Sequence, residues 1–330
     1  MSTFMITGAL GFLGSSLSQA LLDQGHAVIG VDDRSSESPD AVRVEERAGF
    51  RLLVHDIADR DRIDVMLDAI DGAEVHQIFH LACPASPIDY LRAPTKTLAT
   101  CADGTRAVIE VAQRASATLV FTSTSEVYGD PLQTPQPETY FGNVNPVGPR
   151  AVYDEGKRFA EAMITAFGRA AGLDYRIARI FNSYGPGMRL GDGRLLPSAI
   201  SALTRGEPVP VYGDGSQTRS MCYVDDTVSG LLALARSTAS GPVNIGNDDE
   251  RTVMDLLIAT AQAMGCELRV DHRPARQDDP ARRRPDTALA RSILGWSARV
   301  PFEVGIERTV AQMRHRAPES DASRSPASDS

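Results

Sequence analysis

The segment Thr7–Gly14 reads TGALGFLG and places glycines at 8, 11 and 14. Glycine at these points allows a tight strand-to-helix turn, lets the backbone approach a pyrophosphate, and aims a helix N-terminus at its negative charge. Three spaced glycines are weak evidence by themselves, so their setting decides the reading. An apolar, strand-like run, Phe4–Thr7, leads in, and a helical pattern from about Phe12 to Gln24 leads out. A second strand-like run, Ala27–Val31, ends at Asp32, eighteen residues beyond Gly14. A carboxylate there accepts the adenosine ribose hydroxyls and repels a 2′-phosphate, which predicts NAD rather than NADP. Gly8, Gly11, Phe12, Leu13, Gly14 and Asp32 are assigned to this cofactor, and Arg34 is the nearby residue that would favour NADP. Asp56 is a candidate for adenine or an ordinary helix cap. Ile57, Leu81 and Ala82 join it as candidate cofactor contacts.

Outward from this turn, strand-like runs alternate with helical patterns: Phe50–Val54, Gln77–Leu81, Thr118–Thr122 and Tyr175–Ile180. That rhythm predicts an α/β fold, a Rossmann-like doubly wound parallel sheet with helices on both faces. After Arg179 the spacing becomes irregular, Pro and Gly increase, and helices are expected at about Pro197–Arg205 and Thr252–Met264. The expected organisation is an NAD-binding domain over 1–180 and a smaller C-terminal α/β domain, mainly for substrate, over 181–316. The last residues, 317–330, read APESDASRSPASDS and are expected to be a disordered tail.

With 330 residues, 42% of them hydrophobic, the chain can bury a full core. Its net charge of −9 argues against a nucleic-acid binder. No window reaches the ~18 apolar residues of a membrane span. The first apolar stretch, Phe4–Leu13, contains two glycines and lacks a basic leader and a cleavage site, so a cytoplasmic location and no membrane contact are expected. Cys83, Cys101, Cys222 and Cys266 are widely spaced and read as buried free thiols, with no metal site implied. Positive charge is concentrated in RQDDPARRRP, Arg276–Pro285.

The chain holds two lysines, Lys96 and Lys157, against 32 arginines. Lys157 lies in VYDEGKRFAEA, Val152–Ala162, four residues after Tyr153 on an expected helix running to about Arg169. Residues four apart share a helix face. The bland alternative is a core tyrosine and a solvated lysine. An ammonium beside a phenol, with an oxidised nicotinamide nearby, instead lowers the phenol pKa from ~10 toward neutrality. Tyr153 then removes a hydroxyl proton as hydride leaves for NAD. A compact ammonium can also donate to the nicotinamide ribose, which a guanidinium does poorly. Lys96 is left without a role.

Several long stretches carry a resemblance: HLACPASPIDY (His80–Tyr90), TSTSEVYGDP (Thr122–Pro131), GNVNPVGPRAVYDEGKR (Gly142–Arg158), RIARIFNSYGP (Arg176–Pro186), VYGDGSQTRS (Val211–Ser220) and QDDPARRRPD (Gln277–Asp286). From about Met5 to Arg314 the chain resembles the extended short-chain dehydrogenases/reductases that act on nucleotide sugars, and among them the UDP-glucuronate decarboxylases. The resemblance implies a bound NAD, a UDP-sugar substrate and a homodimer. The subunits would join through a four-helix interface built from the Tyr153 helix and the preceding one, near Thr97–Ala115, with apolar Leu98, Val108 and Val111, positions that equally suit a core. It implies decarboxylation of UDP-glucuronate to UDP-xylose. C4 is oxidised, carbon dioxide leaves the β-keto acid, and the retained NADH reduces C4 again.

In that scheme Thr124 orients Tyr153, and Ser125 and Glu126 handle proton transfer at C5. The Ser–Glu pair stands where sugar dehydratases carry Asp–Glu. Arg283 holds the sugar carboxylate. Arg282, Asn182 and Arg219 face the diphosphate, Tyr212 packs on uracil, and Tyr90 and Gln217 complete the substrate contacts. The chain departs from the family pattern at Gly187, Pro197, Ser198, Met221 and Cys222, which bears on nucleotide and sugar specificity more than on reaction type. The rivals are a decarboxylase releasing the 4-keto-pentose, another nucleotide-sugar epimerase or dehydratase, and a non-catalytic NAD-binding regulator. The intact Tyr153/Lys157 pair argues against the regulator.

Overall fold

The computed structural model describes residues 1–37 and 41–316. The expected tail, 317–330, lies outside them. The strands are β1 (Thr3–Thr7), β2 (Ala27–Asp32), β3 (Phe50–Val54), β4 (Val75–His80), β5 (Thr118–Thr124), β6 (Tyr175–Ile180), β7 (Ser183–Tyr184), β8 (Val209–Tyr212), β9 (Thr218–Ser220), β10 (Cys222–Tyr223), β11 (Pro242–Ile245), β12 (Glu250–Thr252), β13 (Val270–Arg273) and β14 (Arg282–Arg283). The helices are α1 (Phe12–Asp23), α2 (Asp64–Ile70), α3 (Pro87–Arg92), α4 (Pro94–Ala99), α5 (Thr105–Ala115), α6 (Ala151–Ala171), α7 (Leu195–Thr204), α8 (Val224–Ala235), α9 (Val253–Met264), α10 (Ala288–Leu294) and α11 (Phe302–Arg316).

Seven strands form one parallel sheet in the order β11-β6-β5-β4-β1-β2-β3. The winding reverses between β1 and β4, and at such a switch point the carboxyl ends of the strands leave a crevice. Along β1 the period of two sends Phe4 and Ile6 into the core shared with Leu17 and Leu21 of α1, and Met5 into the opposite core with Val108, Val111 and Ile164. Both faces are covered, which is why the central strands are continuous apolar runs. β5 extends past the expected Thr122 to Thr124, which carries Thr124 to the crevice. The seventh strand, β11, comes from beyond residue 180, so the sheet crosses the domain boundary expected there.

The helix expected over Thr97–Ala115 is interrupted. A π-helical turn, Thr100–Gly104, separates α4 from α5. Val108 and Val111, read as possible interface positions, are core residues, whereas Leu98 is 44% exposed and Phe159 on α6 is 52% exposed. The smaller lobe pairs β8 with β13 and sets β9 between β12 and β14. Its helix α9 starts at a reciprocal cap in which the Thr252 hydroxyl and the Asp255 carboxylate satisfy each other's backbone N–H groups. The expectation of four buried thiols is corrected: Cys101 and Cys222 are buried, Cys83 is half-buried and Cys266 is exposed.

Candidate active site

A cavity of about 590 Å³ opens along the carboxyl ends of the central strands and runs between the two lobes. Its floor at one end is the β1–α1 turn. Gly8 sits at φ +72°, and a Cβ there would lie 2.8 Å from the Ala82 nitrogen. A Cβ at Gly14 would lie 1.9 Å from the Gly8 carbonyl oxygen, so no side chain fits under the turn. No side chain caps the N-terminus of α1 at Gly11, which leaves its backbone donors facing the cavity. Phe12, Leu13, Ile57, Leu81 and Ala82 line the same end.

The Asp32 carboxylate is fixed by backbone donors, Leu10 N at 3.0 Å and Arg34 N at 2.7 Å. Arg34 itself is not in the cavity wall; its guanidinium is taken by Glu37 at 3.1 Å and by Glu45. Asp56 accepts from Ala58 N at 3.0 Å in a local turn and caps no helix, since the next helical turn starts after Asp59; it also lines the cavity. Lys96 reaches across to pair with Asp33 and, at 3.5 Å, with Asp56. A glycine cradle under a free helix N-terminus, beside a carboxylate and with the guanidinium turned away, fits NAD.

Midway along the cavity, α6 presents Tyr153 and Lys157. The Tyr153 ring stacks on Tyr90, with centroids 5.3 Å apart and planes 8° apart. The Lys157 ammonium donates to the Thr122 carbonyl at 2.8 Å and sits 4.7 Å from the Phe121 ring centroid. Burial pushes the Tyr153 phenol well above its ordinary pKa; charge on Cys83 and Glu126 adds to this, and a hydrogen bond with Thr124 opposes it. Lys157 does not offset this, because its ammonium is turned to a backbone carbonyl while the ring is desolvated. Thr124 also accepts from Glu126 N at 3.2 Å and so starts the one-turn helix Ser125–Tyr128.

At the far end Glu126 meets two guanidinium groups. Arg283 contacts both of its oxygens at 2.8 Å, and Arg150 donates at 2.6 Å. Burial opposes ionisation, but Arg283 and Arg150 outweigh it and hold the Glu126 carboxyl down at about 2. Arg283 also donates to Asn182 at 3.2 Å. Arg219 is buried and committed to Asp279 at 2.9 Å and to the Pro280 carbonyl at 2.9 Å. Gln217 donates to the Tyr212 carbonyl at 2.7 Å, and Arg276 lies 3.7 Å from the Tyr212 ring centroid.

Arg282 does not join this group. On β14 adjacent side chains alternate, so Arg283 points into the cavity while Arg282 pairs outside with Glu250 at 2.8 Å. Of the departures from the family pattern, Pro197, Ser198 and Met221 line the cavity, whereas Gly187 and the buried Cys222 do not. Sequence reasoning missed Arg150, Asp154 and Cys83. The spacing 150, 153, 154, 157 is one helix face, and it could have drawn Arg150 and Asp154 in with Tyr153.

A doubly wound parallel sheet, a glycine cradle and a Tyr/Lys pair on one helix beside it define a nicotinamide-dependent short-chain dehydrogenase/reductase. The chain belongs to the NAD dependent epimerase/dehydratase family, whose model matches residues 4–246. It is 42% identical over 313 residues to UDP-glucuronic acid decarboxylase 1 of Arabidopsis thaliana, covering 94% of this chain and 70% of that protein. It is 43% identical over 309 residues to UDP-glucuronic acid decarboxylase 1 of Danio rerio, covering 93% and 71%. Among solved structures, the UDP-glucose 4-epimerase of Thermotoga maritima with UDP-glucose superposes with a TM-score of 0.87 at 27% identity, covering 95% of this chain and 99% of that one.

Proposed function

We propose that this protein is an NAD-dependent UDP-glucuronate decarboxylase that forms UDP-xylose. The observation that carries the reading is one continuous cavity joining the glycine cradle, Tyr153 and Lys157, and the Arg283–Glu126–Arg150 cluster. The decarboxylase relatives, alike over most of the chain, support the substrate. Residues 1–180 mainly hold the cofactor and 181–316 mainly the nucleotide sugar.

NAD, when bound, would supply the oxidant for the sugar C4. Tyr153 accepts the C4 hydroxyl proton, with Thr124 fixing its orientation, and later returns it. Lys157 would hold the cofactor ribose. With C4 a ketone, the C5 carboxylate is β to it and leaves as carbon dioxide, its electrons entering an enolate at C4. Arg283 orients that carboxylate in competition with Glu126, so two anions share two guanidinium groups until the carbon dioxide departs. Its loss relieves their repulsion, a favourable change made only on the way to product. Glu126, held as an anion, is no proton donor; with Ser125 it positions the water that protonates C5.

The subunit contact proposed is a homodimer through α4, α5 and α6, supported by the exposed Leu98 and Phe159. Among the described residues no helix is long and apolar enough to cross a membrane. The free cysteines support a cytoplasmic location. Incubating the purified protein with UDP-glucuronate and following carbon dioxide and the sugar nucleotide by mass tests the function. UDP-xylose is expected. A 4-keto-pentose released with reduced nicotinamide, or an epimer of unchanged mass, would overturn it.

A further inference from the structure

We propose that Cys83 and Cys101 form a reversible thiol–disulfide modification site in the cavity wall, at which a hydroperoxide switches the enzyme off. Cys83 stands on the loop after β4, half-buried and lining the cavity. Cys101 is sealed behind it in the π-helical turn, and the two sulfurs are 3.5 Å apart. The arrangement is asymmetric in the way an attacking and a resolving thiol require. A small oxidant entering the cavity reaches Cys83 first. The hydrogen bond it shares with Cys101 lowers the pKa of the Cys83 thiol, and Lys157 helps against burial. A thiol so biased is the more readily ionised and oxidised partner.

The chemistry closes without a further reactant. The Cys83 thiolate attacks the peroxide O–O bond, giving a sulfenic acid and, for hydrogen peroxide, one water. Cys101 Sγ then attacks the sulfenyl sulfur, and its proton leaves with the hydroxyl as a second water. Two thiols are oxidised by two electrons, and the peroxide is reduced by two. The sulfurs need to close from 3.5 Å to about 2.05 Å. That movement has a consequence for the site, because Cys101 packs on α6 at Gly156, where a Cβ would lie 3.0 Å from its sulfur. Gly156 is the residue before Lys157. Drawing the π turn toward Cys83 removes the support under the lysine, and displacements near 1 Å at a catalytic group cost about a hundredfold in rate.

The test uses the full chain treated with hydrogen peroxide, alkylated, digested without reduction and mapped by mass spectrometry, so the cross-link is read independently of the substrate assignment. A Cys83–Cys101 peptide lighter by two hydrogens is expected, together with a fall in turnover and NAD affinity that dithiothreitol reverses. Cys101→Ser should show no cross-link, and its Cys83 should trap dimedone. Alkylation of both thiols after peroxide, or a cross-link with unchanged turnover and NAD affinity, would overturn the proposal. The wild-type peptide map decides even if the variant does not fold.

Discussion

Asp154 follows the proposed base Tyr153 in sequence and is buried with its Oδ1 lacking a hydrogen-bond partner. Burial first, then the charge of Glu126, pushes its carboxyl up to about 8, against Arg150 and Arg283. Its folded pKa thus exceeds the unfolded value of about 3.9. Between these values the native state binds more protons than the unfolded one, so this contribution is present at low pH and is lost as pH rises. Asp154→Asn lacks the titration. Its melting temperature relative to wild type should climb from about pH 5 to pH 8 and level off above; a constant difference would show that Asp154 is ionised throughout. Tyr153→Phe at the neighbouring position should keep NAD binding and lower kcat by about a hundred- to ten-thousandfold. Equilibrium NAD titration and single-turnover assays separate the two.

One short strand, β14, decides which of Arg282 and Arg283 faces the cavity. Arg283→Leu should weaken UDP-glucuronate by about 1.5–3 kcal/mol, roughly one to two decades, while UDP-xylose binding barely changes. Arg282→Ala, which removes an exposed partner of Glu250, should leave both affinities unchanged. Isothermal titration with both sugar nucleotides discriminates; equal losses for substrate and product in Arg283→Leu would mean that the guanidinium serves the diphosphate or Glu126 instead. The basic run was visible in the sequence, but its split was not, because the two-residue strand carries no periodicity of its own and gains its direction from pairing with β9. On α6 the reverse holds: a helix of 21 residues states its face in its spacing, and Arg150, Asp154 and Lys157 all follow from Tyr153.

At the scale of the molecule, the exposed Leu98 and Phe159 lie on α4 and α6, which pack side by side. Phe159→Glu should convert the proposed dimer into a monomer by light scattering at micromolar concentration, because a buried charge without a partner opposes association. A wild-type monomer would remove that interface altogether.

The sequence by itself determined the parallel sheet, the glycine turn, the Asp32 position and the Tyr153/Lys157 face, since each is a pattern of local period or of residues needed at one backbone turn. Only the tertiary structure decided the rest. Val108 and Val111 became core, β11 joined the sheet from beyond residue 180, and Lys96 found Asp33 and Asp56 across the cavity. Burial pushed the Tyr153 phenol up, and Glu126 was clamped between arginines 24 and 157 residues away in sequence. These outcomes depend on burial and on charges meeting through space, and neither quantity is written in the spacing of residues along the chain.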